Sequence, residues 1–142
     1  FSYIILLSYF IYNIMAIKSS QELVSEALKQ VTTITPEKAL ELIKDNKCNL
    51  IDIRDALELQ NDGCFENTHH APRGLLEFMI HPESPFFKNE NLDPDKDIVL
   101  FCAAGGRSAL AAKTLQEMGF KNVSHIEGGF KLMKQKGFKI KN

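Results

Sequence analysis

The stretch Ile98–Ala112, IVLFCAAGGRSALAA, decides how this chain is read. It opens on a continuous apolar run, Ile98 to Phe101, of the kind that forms a strand buried on both faces of a parallel sheet. The run leads straight into Cys102. In such a sheet the carboxyl ends of the strands line the ligand crevice, so the sequence predicts Cys102 at the rim where sites form. Ala103, Ala104, Gly105 and Gly106 carry almost no side-chain bulk, and their backbone N–H groups can turn inward as an anion-binding nest. The next segment, Ser108 to Met118, is rich in helix formers, with Gly119 where a C-cap belongs. A helix N-terminus near Ser108 adds partial positive charge, about 0.3–1 kcal/mol for a nearby anion. Arg107 adds a full charge on a planar donor fork. Together these favour a thiolate at Cys102, the form that attacks sulfur. A structural cysteine at a strand end is the plainer alternative, but it has no need of a small-residue loop that closes on arginine.

Working outward, Asn49 to Ile53 is a second apolar run and reads as a buried strand, and Asn122 to Ile126 as a third. Thr68 to Ala71 is a further strand candidate. Helices are predicted from Thr35-Pro36, an N-cap followed by proline in the first turn, to about Asp45. Others run from Asp55 to Asn61, Leu75 to Ile80 and Phe130 to Lys136. Ser19 stands three residues before Glu22 at capping-box spacing, ahead of Leu23, Ala27, Leu28 and Val31 at helical spacing. His81 to Asp97, with three prolines and little periodicity, reads as a long surface loop. Strands alternating with helices give an α/β domain with a central, mostly parallel sheet flanked by helices.

The chain has 142 residues, enough for one domain with its own core. With net charge -1, no global field favours nucleic acid or an anionic membrane. The three cysteines, Cys48, Cys64 and Cys102, are odd in number and widely spaced, and none forms a CxxC pair. That argues against a disulfide framework or zinc ribbon and fits a reducing, cytoplasmic setting. No metal or cofactor is expected. Residues 1–17 are almost wholly apolar, with the first charge at Lys18. They lack the basic n-region of a secretory signal and fall short of the roughly 20 residues of a membrane span. They read as a non-native or mis-assigned extension before Met15, with a truncated membrane anchor as the alternative. Residues 18–33 then form a helical lead and residues 34–140 the main domain.

At CAAGGRS the sequence resembles the rhodanese family. LIDIRD (50–55), THHAPRGLLEF (68–78) and IEGGF (126–130) extend the resemblance, in the same order and spacing, over roughly Ile34 to Ile140. The segment Gly63 to His69 departs from it, because the family usually carries a Gly-His-Ile-Pro-Gly-Ala-like turn there. The resemblance implies a parallel sheet flanked by helices. It also implies transfer of sulfane sulfur from a donor such as thiosulfate to a thiophilic acceptor, cyanide or a thiol, small or protein-borne. Related phosphatases of the Cdc25 type place five residues between Cys and Arg, whereas four stand between Cys102 and Arg107. The shorter loop implies a persulfide rather than phosphate or arsenate.

The expected site is therefore Cys102 as nucleophile, with Ala103, Ala104, Gly105, Gly106, Arg107 and Ser108 binding donor and persulfide. Asp52 reads as support for the loop. Arg54 is open between that role and a structural ion pair, and Arg73 between attracting an anionic donor and a solvated position. His69 and His70 are adjacent, so on a strand they face opposite sides and cannot share a metal ion. A general base is not needed where the thiol is already ionised. Cys48 and Cys64 read as unpaired thiols. Gly128 and Gly129 read as a tight strand-to-helix turn, Phe130 as core, and the lysines from Lys131 as a solvated face. The rival from another class is a binding or redox-sensing module without turnover. The second rival, a small phosphatase or arsenate reductase, is disfavoured by loop length.

Overall fold

A computed structural model describes residues 2–142, and of Met15 only the backbone. Five strands form one sheet in the order β1-β5-β4-β2-β3, and every neighbouring pair is parallel. The strands are β1 (Thr32–Ile34), β2 (Cys48–Asp52), β3 (His69–His70), β4 (Asp97–Phe101) and β5 (Val123–Ile126). The helices are α1 (Ser2–Met15), α2 (Ser20–Leu28), α3 (Pro36–Lys44), α4 (Ala56–Asp62), α5 (Leu76–Met79), α6 (Pro85–Asn89), α7 (Gly106–Glu117) and α8 (Gly129–Gln135). A short 3-10 turn, Arg73–Leu75, leads into α5.

The capping residues act as their chemistry dictates. Ser19 Oγ accepts from Glu22 N and Thr35 Oγ1 from Lys38 N, each at 3.1 Å, with Pro36 in the first turn of α3. Two elements escape the sequence reading. β1 is only three residues long and two of them are threonine, yet it pairs with β5. The long loop contains α6, capped by Ser84 with Pro85 at its first position.

Alternation along β4 sorts the core onto two faces. Ile98, Leu100 and Cys102 pack with Ile51, Ile53, Leu76, Leu115 and the alanines of α7. Val99 and Phe101 point the other way, among Ala39, Phe65, Ile126, Phe130 and Met133. Cys102 thus lies on the α7 side of the sheet, 1% exposed, at the carboxyl end of a central strand.

The turn from β5 into α8 braces that strand end. Phe130 N donates to Cys102 O at 2.8 Å and Lys131 N to Ala103 O at 3.4 Å. The approach is so close that a Cβ on Gly129 would sit 2.4 Å from Cys102 O and 2.7 Å from Ala103 C, and the residue has φ +58°. The second glycine of IEGGF therefore makes room for the Cys102 loop as well as for the turn.

Among the described residues, none of α1 belongs to either core cluster. Its Tyr3, Ile4, Leu6 and Phe10 stand exposed, and no helix among the described residues is long and apolar enough to cross a membrane. Phe1 lies outside the described residues. We propose that the leader is dispensable. A chain beginning at Met15 should melt within about 2 °C of the full chain, the range for changes that touch no core. Loss of solubility or a larger drop would show that α1 belongs to the fold. Gly129→Ala, by contrast, should cost about 2 kcal/mol or more in denaturant unfolding, from left-handed strain plus overpacking. An unchanged midpoint would show that the turn relaxes freely.

Candidate active site

Chain reversal after Cys102 depends on Gly105, whose φ of +106° is left-handed and whose position is the N-cap of α7. The reversal turns the following N–H groups back onto the cysteine. Gly105 N donates to Cys102 Sγ at 3.1 Å and Ser108 N at 3.4 Å, while Ser108 Oγ lies 3.5 Å from the sulfur. Burial alone pushes the thiol pKa up. The Ser108 hydroxyl and the N–H groups of Ser108, Ala104 and Gly105 outweigh it, and the net direction is down. The loop thus presents backbone donors to a buried sulfur.

Arg107 departs from the picture of a donor fork open to the loop. Its Nη1 and Nη2 donate to Glu58 Oε1 and Oε2 at 2.7 and 2.9 Å. This bidentate pair ties the start of α7 to α4. The Arg107 hydrogen bonds hold the Glu58 carboxyl at about 2, and the pair raises Arg107 in turn. Glu58 Oε1 also accepts from Asp55 N at 3.2 Å, closing the N-terminal turn of α4. Glu58 carried no motif that singled it out in the sequence. Its place three residues after the N-cap Asp55 is a capping signal, and that was its only trace.

Asp52 and Arg54 form a buried ion pair, each 1% exposed, with Nη2 at 2.6 Å from Oδ2 and Nε bonded to both carboxylate oxygens. Arg54 Nη2 also donates to Gly63 O at 2.9 Å, and the guanidinium lies 3.9 Å over the Phe130 ring. Nη1 has no hydrogen-bond partner among the described residues. Ion pair and stacking together pin the exit of β2 to α8, the helix whose start braces Cys102. Arg73 N donates to Ile53 O at 3.0 Å. Its side chain joins Arg107, Asp55, Glu77 and Thr114 around an open cleft of about 390 Å³.

The remaining candidates lie elsewhere. His69 Nδ1 pairs with Glu90 Oε2 at 2.9 Å, and His70 Nε2 donates to Arg54 O at 2.7 Å. A larger cavity of about 840 Å³ at the β3 edge is lined by Cys48, Cys64 and both histidines, and Cys102 is not part of it. Cys48 opens β2 opposite Asp97, five residues before Cys102 along β4, so some 16 Å of strand separates the two levels. Burial, then the Asp97 charge, pushes the Cys48 thiol up to about 11. Among the described residues no group of three or more His, Cys, Asp or Glu could hold a metal ion.

Comparison with known proteins agrees with this geometry. The model of the rhodanese-like domain matches residues 35–136. The thiosulfate sulfurtransferase GlpE of Glaesserella parasuis serovar 5 (strain SH0165) is 30% identical over 99 residues, covering 70% of this chain and 82% of its own. The solved polysulfide-sulfur transferase homodimer of Wolinella succinogenes has a TM-score of 0.66 at 35% identity, over 84% of each chain. A solved protein of unknown function, described as a possible tyrosine phosphatase, from Rhodopseudomonas palustris CGA009 has a TM-score of 0.77 at 40% identity. It spans 87% of this chain and 95% of its own. A family match over most of the chain, on a parallel sheet whose central strand ends at Cys102, makes this protein a member of the rhodanese-like domain family.

Proposed function

We propose that the protein is a sulfurtransferase that carries sulfane sulfur on Cys102 as a persulfide. One observation carries the proposal: a buried sulfur that accepts from the Gly105 and Ser108 N–H groups, with the thiol pKa drawn down. The sulfurtransferase names of the 30% and 35% identical relatives support it.

Two displacements at sulfur make up the reaction. The Cys102 thiolate attacks the outer sulfur of the donor. With thiosulfate, the new bond is Sγ–S, the bond to the sulfonate sulfur breaks, and sulfite leaves with the electron pair. The persulfide anion is one sulfur longer than the thiolate, and the loop N–H groups stabilise its charge. An acceptor such as cyanide or a thiolate then attacks the terminal sulfur and restores the Cys102 thiolate. Enzyme form alternates with each half-reaction, which is a ping-pong scheme. No residue needs to act as general base where the loop donors hold the nucleophile as a thiolate. In this proposal Ala103, Ala104, Gly105, Gly106 and Ser108 form the anion-binding wall. Arg107 contributes its charge at the mouth, although Glu58 holds its fork. Asp52 and Arg54 hold the wall in place, and Arg73 lines the approach. We place the working domain from β1, which starts at Thr32 and pairs with β5, to about residue 140, in a reducing cytoplasmic setting.

A phosphatase reading is worth testing because of the name given to the 40% identical relative. Phosphoryl transfer from this loop would call for a guanidinium free to clamp phosphate bidentately, and Arg107 already gives both terminal nitrogens to Glu58.

Incubation with thiosulfate followed by intact-mass measurement should show one added sulfur on the native chain and none on Cys102→Ser. Cys48→Ser and Cys64→Ser should keep both adduct and turnover. Turnover in folded Cys102→Ser, or release of phosphate from an aryl phosphate at a comparable rate, would overturn the assignment. The rate of persulfide formation should rise with pH to a midpoint below the ordinary cysteine pKa of about 8.5. This follows the sign of the shift, since a depressed thiol pKa puts the reactive anion at lower pH. A midpoint above that value would mean that burial wins. Arg107→Ala should slow persulfide formation from thiosulfate by about tenfold or more, because it breaks the tie between α7 and α4 and leaves the Glu58 charge uncompensated beside an anionic donor. An unchanged rate would show that the pair bears on neither the loop nor the donor.

A further inference from the structure

His125 lies buried on β5, 1% exposed, and takes no part in the chemistry described above. Its two ring nitrogens nevertheless join the sulfur site to the protein surface. Nδ1 lies 2.9 Å from Ser108 Oγ, and Nε2 lies 2.8 Å from Thr33 Oγ1 on the exposed edge strand β1. Ser108 Oγ in turn stands 3.5 Å from Cys102 Sγ and 3.2 Å from Gly105 O.

The direction of this chain follows from what each atom can do. A Cys102 thiolate and the Gly105 carbonyl only accept. Among the Ser108 hydroxyl's side-chain neighbours, Nδ1 alone can donate to it. If Nδ1 accepted instead, the single Ser108 proton would go to the ring, and the thiolate and carbonyl would both face oxygen lone pairs. If Nδ1 carries the proton, the ring donates to Ser108 and the Ser108 proton is free for the sulfur. A charged acceptor outcompetes the neutral carbonyl for it. That tautomer leaves Nε2 as an acceptor, which suits a donating Thr33 hydroxyl. Burial lowers the His125 pKa, so the ring is neutral near pH 7 and one tautomer has to be selected.

We propose that Thr33 and His125 are positioning residues for sulfur transfer: Thr33 fixes the Nδ1–H tautomer of His125, which turns the Ser108 hydroxyl proton onto the Cys102 sulfur. The inference rests on Cys102 working as a thiolate and adds two residues remote from the loop in sequence. Neither touches the sulfur, and they act only through Ser108.

The test is a direct titration of the Cys102 thiolate by its absorbance near 240 nm, with the Cys102→Ser chain as background, beside the thiosulfate mass assay. Losing one hydrogen bond of ordinary strength should raise the midpoint by about half to one pH unit. His125→Leu and Thr33→Val should both show this rise. Thr33→Ser, which keeps the hydroxyl, should restore the native midpoint. His125→Asn, whose amide N–H can stand where Nδ1–H stands, should fall closer to native than His125→Leu. If His125→Leu does not fold, the Thr33 pair decides, because that residue sits on the exposed edge strand. Native midpoints in Thr33→Val, or equal shifts in Thr33→Ser and Thr33→Val, would overturn the proposal. The titration does not depend on sulfur transfer. Shifted midpoints without any sulfur adduct would sink the sulfurtransferase reading and leave this chain standing, while adduct formation with unshifted midpoints would do the reverse.

Discussion

A sulfur that is 1% exposed has almost no water to solvate a negative charge, so the protein must supply the solvation that a thiolate needs. The N–H groups of Gly105 and Ser108 do so at 3.1 and 3.4 Å. Much of the surrounding structure serves to hold those donors still. The left-handed Gly105 turns them inward, α7 fixes their spacing, and Gly129 lets α8 press against the carbonyls of Cys102 and Ala103. Were the loop to loosen, the desolvation that raises the thiol pKa would no longer be offset. The same cysteine would become an inert core residue.

The field at Cys102 is built from dipoles more than from free charges. Two of the three arginines are paired, Arg54 with Asp52 and Arg107 with Glu58. Each carboxylate cancels most of a guanidinium's long-range effect and leaves its geometry. A helix N-terminus adds about 0.3–1 kcal/mol for an anion, and a hydrogen bond to a charged group about 1.5–3 kcal/mol. The N–H contacts therefore dominate. Such a site favours small, diffuse anions such as a thiolate or persulfide. A compact dianion would call for unpaired cations. The two ion pairs do mechanical work instead, tying β2, α4, α7 and α8 around the loop.

The strands that mattered most were plain from composition, because β2 and β4 are buried on both faces: β4 shows the unbroken apolar run Ile98 to Phe101, and β2 the apolar residues of LIDI. The strand-Cys-loop-helix unit was equally plain, since Ala and Gly in a row followed by Arg and Ser have few other uses. β1 was not legible: Thr32 and Thr33 are polar and exposed, and only pairing with β5 makes them a strand. The short α6 hid among prolines that also suggested a loop. Glu58 and His125 were missed for a different reason. Each acts on the site across 49 and 17 residues of sequence, and no local pattern marks such a partner. Arg107 illustrates the same gap in reverse, because its charge was visible and its partner was not.

The most direct test is the crystal structure of the protein after brief exposure to thiosulfate and removal of excess donor. The account predicts one extra sulfur bonded to Cys102 Sγ, within hydrogen-bonding distance of N–H groups of the loop from Ala104 to Ser108, with Cys48 and Cys64 unmodified. Sulfur on either of those two cysteines, or an intact anion in the loop with Cys102 unmodified in protein that turns over, would contradict it.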